Sequence, residues 1–362
     1  MTDHRQSSAA ARKLSGIEAA RGIAAAMVVF YHAARHLNLN FGVMPWHGAA
    51  QFGHAGVDFF FVLSGFIIFY VHDKDVGKPS TIVTYFERRF TRIYPLFWVS
   101  LAISLGLTYF SSTLVFPDLV TILQHATLLP FGGDVGVAWT LQHEIMFYLI
   151  FAVALINRRL GMALFAGWFF FILTAWANGN AYADSPVLAR LASTYNLEFF
   201  FGVLAACLVR RLPPQLIYPV LAVGIGAFAS FALAENIGRF NAYTSVAPVA
   251  YGLSSMLIVI GIAAANQNGL LVAPRFLAQL GTASYAIYLL HLPCIGVFYK
   301  LLTIAGLHTS MPLDVLYLLL VTSAIASCIV ISRTVEYPLM QWVRRSISGN
   351  ARPGKNTVQK AA

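Results

Sequence analysis

Residues 16–37, GIEAARGIAAAMVVFYHAARHL, are long and apolar enough to cross a bilayer as one helix, yet they include Glu18, Arg21 and His32. Ionisable groups inside a membrane-spanning helix are costly and usually serve a function. Arg21 and His32 lie about three full turns apart on one helix face, with a rise of about 16 Å between them, and Glu18 lies within about 40° of that face. This face is predicted to line a reaction channel.

The composition of the 362-residue chain is that of a polytopic membrane protein. Hydrophobic residues make up 58% of the chain and charged residues only 10%, and the mean hydropathy is +0.70. Apolar windows recur from end to end without a long polar block, which predicts an all-α fold with ten membrane-spanning helices. The predicted spans are 16–37, 54–72, 92–111, 138–157, 161–177, 196–211, 215–234, 246–265, 283–304 and 313–334.

The apolar windows also predict the domain organisation and its inert part. We expect one membrane domain over residues 16–338, between an N-terminal tail of residues 1–15 and a C-terminal tail of residues 339–362. The fifth to eighth spans are nearly free of ionisable groups, so they are expected to be lipid-facing scaffold without chemistry.

The formal charge of +10 follows membrane topology rather than nucleic-acid binding. Most of the 24 Lys and Arg residues fall on alternate connections, which is the positive-inside pattern and predicts that both termini are cytoplasmic. The three cysteines lie singly in apolar segments, without the spacing of a metal site or a disulfide framework. We therefore expect neither a nucleic-acid partner nor a bound metal.

His32 is the first candidate for chemistry, because it is predicted to lie about 7 Å to the outer side of the bilayer centre. Imidazole titrates near neutrality and can take a proton from an attacking hydroxyl, provided that a second group fixes its tautomer. Arg21 lies deeper toward the cytoplasm and stays charged, so it is suited to binding an anion or a carbonyl group.

The fourth span supplies a candidate partner for His32. Residues 136–151, GVAWTLQHEIMFYLIF, carry two polar helix faces, one with Thr140, Glu144 and Tyr148 and one with Trp139 and His143. A carboxylate at this depth needs a partner, and His32 is expected at a similar level. We therefore predict a dyad in which Glu144 orients His32; the alternative is a buried ion pair that holds the spans together.

Two further stretches carry charged groups at the ends of spans. Asp58 lies at the mouth of the second span, where it is either a catalytic carboxylate or a helix cap. Arg89 and Arg92 are one turn apart at the cytoplasmic entrance of the third span, where they either anchor the helix or form a fork for phosphates. A phosphorylated cytosolic acyl donor such as coenzyme A fits the second interpretation.

The last polar faces lie near the C-terminus. Ser284, Tyr288 and His291 follow one helix face of the ninth span, ahead of Pro293, and line either the channel or a packed interface. Glu336 at the end of the tenth span is expected close to cytoplasmic water, where it anchors the helix.

At these residues the chain resembles integral-membrane acyltransferase family 3, and the resemblance covers almost the whole length. The matching pieces, in the family's order, are Arg21-x10-His32, GVDFFFVLSG at 56–65, Arg89 and Arg92 followed by IYP, WTLQHEIMFY at 139–148, SYAIYLLHLP at 284–293 and VEYP at 335–338. The fourth piece is most similar to the exopolysaccharide acetyltransferases of the family, although it has WTLQHE where many members have WSLSxE. Some members also carry a C-terminal hydrolase-like domain. We expect no such domain here, because the residues after Pro338 are too few to form one.

The resemblance implies a ten-helix enzyme that moves an acyl group, usually acetyl, from cytosolic acyl-CoA to a carbohydrate acceptor at the cell envelope. It implies that His32 is catalytic and that the arginines serve the donor or the channel, in a protein of the bacterial cytoplasmic membrane. Expected partners are the lipid bilayer, acetyl-CoA, a polysaccharide or its lipid-linked precursor, and other polysaccharide synthesis proteins.

The predicted site has three parts. Its catalytic group comprises His32, Glu144 and Asp58, and the donor-binding group comprises Arg21, Arg89 and Arg92. Its substrate channel comprises Tyr288, His291, Trp139 and His143. The same buried polar face is also compatible with a transporter or flippase for a glycolipid or anion, and a noncatalytic assembly component is the third alternative.

Overall fold

The computed structural model describes residues 15–111, 115–130, 136–179, 182 and 184–347. These residues form helices and connections and contain no strand. Ten helical segments among them are long and apolar enough to cross a membrane, which confirms the predicted all-α fold. The predicted N-terminal tail lies outside the described residues except for Ser15, as does the C-terminal tail beyond Ile347.

The helices are numbered α1 to α14 in chain order. Their bounds are α1 Ser15–Phe41, α2 Gly56–His72, α3 Ile82–Tyr109, α4 Leu119–Thr127, α5 Trp139–Ile156, α6 Arg158–Ala177, α7 Pro186–Ala192, α8 Asn196–Leu208, α9 Ile217–Asn236, α10 Ala247–Gln267, α11 Arg275–Thr282, α12 Ser284–Ile304, α13 Leu313–Ile331 and α14 Tyr337–Ile347. We call the side on which α1 begins the N-terminal side, and the opposite side the far side.

The third membrane helix begins earlier than the hydropathy predicts. Helix α3 starts at Ile82 instead of residue 92, so Arg89 and Arg92 lie about two and three turns inside the helix rather than at its entrance. A window of apolar residues misses this polar first part because Glu87, Arg88 and Arg89 lower its mean hydropathy.

Close backbone contacts hold α2 against α8. A Cβ atom on Gly65 would collide with the backbone of Phe199, and a Cβ atom on Gly202 would collide with the backbones of Val62 and Phe66. Small residues let helices approach closely inside a membrane, where helix association depends on van der Waals packing. Gly65 and Gly202 therefore allow a close approach of α2 and α8, which places Asp58 in the protein interior and Ser64 at a half-buried position.

The outer layer of the bundle is smaller than the sequence predicts. Helices α6 and α9 are the least enclosed, with 22% and 17% of their most apolar windows buried, whereas the segments of α8 and α10 are 56% and 67% buried. The prediction of a lipid-facing scaffold is correct for the fifth and seventh spans and wrong for the sixth and eighth. Hydropathy cannot distinguish apolar residues that face lipid from those that face other helices.

Helix α13 continues into α14 through a π-helical turn, Ser332–Glu336. A π-helical turn widens the helix by one residue and is frequent at functional sites. Here it brings Glu336 into the interior, where the residue is only 6% exposed. The expectation that Glu336 lies close to water is therefore wrong.

Candidate active site

The imidazole rings of His32 and His291 are in contact. Nδ1 of His32 lies 3.2 Å from Nε2 of His291, and the ring centroids are 4.9 Å apart. His32 comes from α1 and His291 from the adjacent α12. Nδ1 of His32 also lies 3.0 Å from the carbonyl oxygen of Val28, one turn back along α1. Two residues that the sequence assigns to separate roles thus form one unit.

The neighbours of the two rings determine which nitrogens carry protons. Nδ1 of His291 lies 3.0 Å and 2.8 Å from the carbonyl oxygens of Ile287 and Tyr288, which can only accept. With both rings neutral, Nε2 of His291 is an acceptor, and Nδ1–H of His32 donates to it and to Val28. Nε2 of His32 then has a lone pair. This atom bonds to no described residue and is not fully buried, so a reacting group can reach it.

The polar faces of α1 and α12 meet along their length. Nε and Nη2 of Arg21 donate to Oγ of Ser284 at 3.3 Å and 2.9 Å, on the N-terminal side of the His32–His291 contact. Tyr288 lies between these contacts in α12, and its hydroxyl bonds to Thr140 at 2.7 Å. Ser284 and His291 of the predicted α12 face therefore meet Arg21 and His32 of the predicted α1 face, whereas the Tyr288 hydroxyl bonds to α5. Whether these faces line a channel stays a prediction.

Glu144 has partners other than His32. Its Oε1 accepts a hydrogen bond from Oγ of Ser64 at 3.0 Å and another from the hydroxyl of Tyr148. The charge of Glu144 acts on Arg21, so Glu144 belongs to the N-terminal half of the site. The predicted His32–Glu144 contact is wrong, because the residue spacing fixes depth along each helix but not which neighbour each face meets. The carboxylate instead joins α2 to α5.

Arg21, Arg89 and Arg92 gather at the N-terminal half of the site. The charges of Arg92, Glu336 and Glu144 all act on the Arg21 guanidinium, so these side chains lie near it. Nη1 of Arg92 lies 3.5 Å from Oε1 of Glu336, and its guanidinium lies 5.2 Å from the ring centroid of Tyr285. Arg21 and Arg92 are thus brought together, and Arg89 joins them indirectly through Tyr148, whose hydroxyl bonds to Glu144. The function of the three residues stays a prediction.

Arg89 keeps an unused donor within this group, which we call the arginine cluster: Arg21, Arg89 and Arg92. The Arg89 guanidinium lies 5.7 Å from the ring centroid of Tyr148, and its Nε is buried without a hydrogen-bond partner. A buried donor left unpaired costs about 1–3 kcal/mol, so it is suited to an acceptor brought by a ligand. A phosphate oxygen satisfies this requirement.

Asp58 faces a second carboxyl group instead of His32. It is 2% exposed, and its carboxyl group lies beside that of Glu198 of α8, which is fully buried. Two carboxylates cannot donate to each other, and as carboxylates they leave both oxygens of Glu198 without a donor. A hydrogen-bond donor at position 58 would satisfy one of these oxygens. The assignment of Asp58 to catalysis stays a prediction.

Trp139 and His143 lie in an aromatic layer between α2, α5 and α8. The Trp139 ring centroid is 5.1 Å from that of Tyr195 and 5.7 Å from that of His143. Nδ1 of His143 lies 2.8 Å from Oδ1 of Asn196. These contacts pack the helices, and the predicted substrate-channel role of both residues is left as a prediction.

A polar network surrounds His32 on the far side. The ring of Tyr31 lies 4.9 Å from that of His32, and its hydroxyl is 2.9 Å from the hydroxyl of Tyr243. Nη1 of Arg35 donates to both hydroxyls, at 3.4 Å and 3.2 Å. Tyr243 belongs to the connection between α9 and α10, so this connection contributes to the polar network beside His32.

His54 and Glu235 form a hydrogen-bonded pair next to this network. Nε2 of His54 lies 3.1 Å from each oxygen of Glu235, and the Tyr251 hydroxyl donates to Oε2 at 2.7 Å. The ring of His54 also contacts that of Tyr31, with centroids 5.5 Å apart.

Several residues around the site are not predicted from the sequence, although two of them carry a feature that could have identified them. Glu198 and Glu235 are ionisable groups in or beside apolar spans, which by itself favours a functional role. Arg35, His54 and Tyr243 lie at span ends or in a connection, where charge and aromatic residues are ordinary. Within the described residues, no group of three or more His, Cys, Asp or Glu side chains is arranged to hold a metal ion.

Comparisons with known proteins agree on one family. The family model described as "Acyltransferase domain" matches residues 14–333. The exopolysaccharide production protein ExoZ of Rhizobium meliloti (strain 1021) is 32% identical over 284 residues, covering 71% of this chain and 83% of that protein. BcsY of Komagataeibacter xylinus, which is named as a membrane-bound transacylase, is 27% identical over 352 residues, or 89% and 83% of the two chains. No solved structure shows significant similarity.

Proposed function

Because the chain belongs to acyltransferase family 3, we propose that it transfers an acetyl or other short acyl group from acyl-CoA to a sugar hydroxyl. The acceptor is an exported or cell-surface polysaccharide, or its lipid-linked precursor, and the enzyme lies in the bacterial cytoplasmic membrane. Similarity to a relative named for exopolysaccharide production supports a carbohydrate acceptor. The positive-inside charge pattern supports a donor site that is open to the cytosol.

The observation that carries this proposal is the His32–His291 contact. It leaves Nε2 of His32 with a lone pair and no partner among the described residues, which is what a general base for a hydroxyl requires. His291 acts as a positioning residue, because its Nε2 accepts the Nδ1 proton of His32 and fixes the ring's tautomer. Glu144, predicted for this role, instead holds Ser64 and Tyr148 beside the arginine cluster.

The arginine cluster supports a phosphorylated donor. Three guanidinium groups, one of them with an unpaired buried Nε, offer more donors than the Glu336 and Ser284 side chains use. The phosphates of coenzyme A would bind there, and the pantetheine arm would extend toward His32 over the rise of about 16 Å that separates Arg21 from His32 on α1.

Transfer then follows with a balanced proton count. Nε2 of His32 takes the proton of the sugar hydroxyl as its oxygen attacks the thioester carbonyl carbon, forming the new C–O bond. The C–S bond breaks, and the imidazolium returns the proton to the departing thiolate of coenzyme A. The products are a sugar ester and free coenzyme A, and His32 is neutral again.

The test compares two histidines on one helix. Purified protein is incubated with acetyl-CoA and the cell's own polysaccharide after removal of its esters, and the new ester is measured by mass spectrometry. We expect His32→Ala to lower transfer by about 10²–10⁴-fold and His36→Ala, one turn further along α1, to leave it within a few-fold. Full transfer by the His32→Ala protein, folded and inserted, would remove His32 from the reaction.

A further inference from the structure

Arg35 is a cation next to the base without a carboxylate of its own. It lies three residues beyond His32 on α1, about 4.5 Å further along the helix axis, and its charge acts on the His32 ring. Its guanidinium donates to the hydroxyls of Tyr31 and Tyr243, and no acidic side chain of the described residues contacts it. A guanidinium is always charged and binds carboxylates through two parallel hydrogen bonds.

The nearest acidic group of the network is already occupied. Both oxygens of Glu235 are bound by Nε2 of His54, and Oε2 also accepts from Tyr251. Glu235 is therefore engaged by His54 and Tyr251, and the Arg35 guanidinium contacts no acidic side chain of the described residues that would compensate its charge. A ligand anion would supply that compensation.

Arg35 is also accessible from the far side. The Arg35 side chain is exposed and that of Tyr243 is 68% exposed, whereas Tyr31 beneath them is buried at 7%. A group that enters between α1 and the connection after α9 would meet the guanidinium and two phenol hydroxyls before it reaches His32. All three can donate hydrogen bonds to an oxyanion.

We propose that Arg35, Tyr31 and Tyr243 bind a carboxylate of the acceptor sugar, so that the enzyme selects an acidic saccharide. This inference rests on the proposed function and specifies its acceptor. The carboxylate pairs with Arg35 while a hydroxyl of the same or the adjoining sugar residue lies at Nε2 of His32. A carboxylate matches the single charge of Arg35, whereas a diphosphate carries more charge than one guanidinium neutralises.

The experiment uses one acceptor in two forms. Oligosaccharides are released from the cell's own polysaccharide and stripped of esters, and half of them have their carboxyl groups reduced to primary alcohols. Acyl transfer from acetyl-CoA to both forms is measured with the purified full-length protein and its Arg35→Gln, Arg35→Lys and Arg239→Gln variants. Arg239 is an exposed arginine in the connection that carries Tyr243, so its substitution controls for loss of positive charge on this side.

We expect the effect of substituting Arg35 to depend on whether the acceptor keeps its carboxyl groups. With the acidic acceptor, Arg35→Gln raises KM by roughly tenfold or more while kcat changes little, Arg35→Lys falls between, and Arg239→Gln matches the natural protein. Reduction of the carboxyl groups raises KM of the natural protein by a similar factor and removes the difference between it and Arg35→Gln.

Three outcomes overturn the inference, and a fourth overturns the proposed function on which it rests. An equal effect of Arg35→Gln on both acceptor forms assigns Arg35 to general structure, and no effect on either form removes it from acceptor binding. An acceptor that transfers well but contains no acidic group also contradicts the inference. Absence of transfer by the natural protein to either form overturns the proposed function itself.

Discussion

Nδ1 of His32 and Nε2 of His291 lie 3.2 Å apart, with the Nδ1 of His291 held by two backbone carbonyl oxygens. The polypeptide of α12 therefore sets the tautomer of a ring on α1. The group that accepts the Nδ1 proton of such a base is more often a carboxylate. Here it is the neutral imidazole of His291, which adds no negative charge beside His32. It orients His32 without forming an ion pair.

Removal of the acceptor atom on His291 should slow transfer. We expect His291→Leu to lower kcat by about 10²–10⁴-fold, because His32 loses the group that holds its proton on Nδ1. His291→Gln should keep a larger share of the activity, since an amide oxygen can accept the same proton. Steady-state kinetics with acetyl-CoA measure both variants, and KM for acetyl-CoA should stay within a few-fold.

The pH profile separates positioning from packing. If His291 sets the state of His32, the acid limb of the kcat profile moves in His291→Leu and is largely restored in His291→Gln. A profile of unchanged shape, with activity lost in proportion to folded protein, would mean that His291 only packs α12 against α1. Thermal unfolding of each variant gives the folded fraction for this comparison.

The sequence predicts the helices and the polar faces, because both depend on spacing within one segment. Arg21 and His32 repeat on one face of α1, and Ser284, Tyr288 and His291 repeat on one face of α12. These periodicities need no tertiary information. The structure adds that the two faces oppose each other, through the Arg21–Ser284 and His32–His291 contacts.

Partners across helices could not be predicted in the same way. Glu144 and His32 are correctly placed inside spans, but the choice between His32 and Ser64 as partner of Glu144 depends on how α5 rotates against α2. The Arg92–Glu336 pair similarly depends on a π-helical turn that shifts the register of the tenth span by one residue. A single sequence contains no measure of either rotation.

The arginine cluster gives a prediction about the donor. Arg89→Gln should raise KM for acetyl-CoA by about tenfold or more, because it removes a charged donor whose Nε has no partner within the described part of the chain. The neighbouring Arg88 is exposed, so Arg88→Gln provides the same change of charge one residue away and should leave KM within about twofold. Initial rates over a range of acetyl-CoA concentrations measure both values.

A shortened donor identifies what Arg89 binds. Acetyl-pantetheine lacks the phosphates of coenzyme A, so the natural protein and Arg89→Gln should use it with similar KM values. A defect of Arg89→Gln that persists with acetyl-pantetheine would place Arg89 at the thioester or in the structure of α3 instead of at the phosphates.

The Asp58–Glu198 contact predicts different effects for two substitutions of Asp58. Asp58→Asn provides an amide that donates to Glu198, so the protein should fold with a similar thermal midpoint and keep most of its transfer activity. Asp58→Ala provides no donor to Glu198, and it should cost about 1–3 kcal/mol of unfolding free energy. A well-folded Asp58→Asn protein without transfer activity would show instead that the Asp58 carboxylate takes part in the chemistry.

The crossing of α2 and α8 supplies a test of the fold that is independent of catalysis. A Cβ atom on Gly65 would overlap the carbonyl of Phe199, whereas a Cβ atom on Gly226 of α9 meets no atom within 4 Å. We expect Gly65→Ala to lower the unfolding free energy by about 1–3 kcal/mol, since the helices must separate to admit the methyl group. Gly226→Ala, the same change on a peripheral helix, should leave stability unaltered or raise it slightly. Thermal unfolding in detergent compares the two, and equal midpoints would contradict the close approach of α2 and α8 that holds Ser64 beside Glu144.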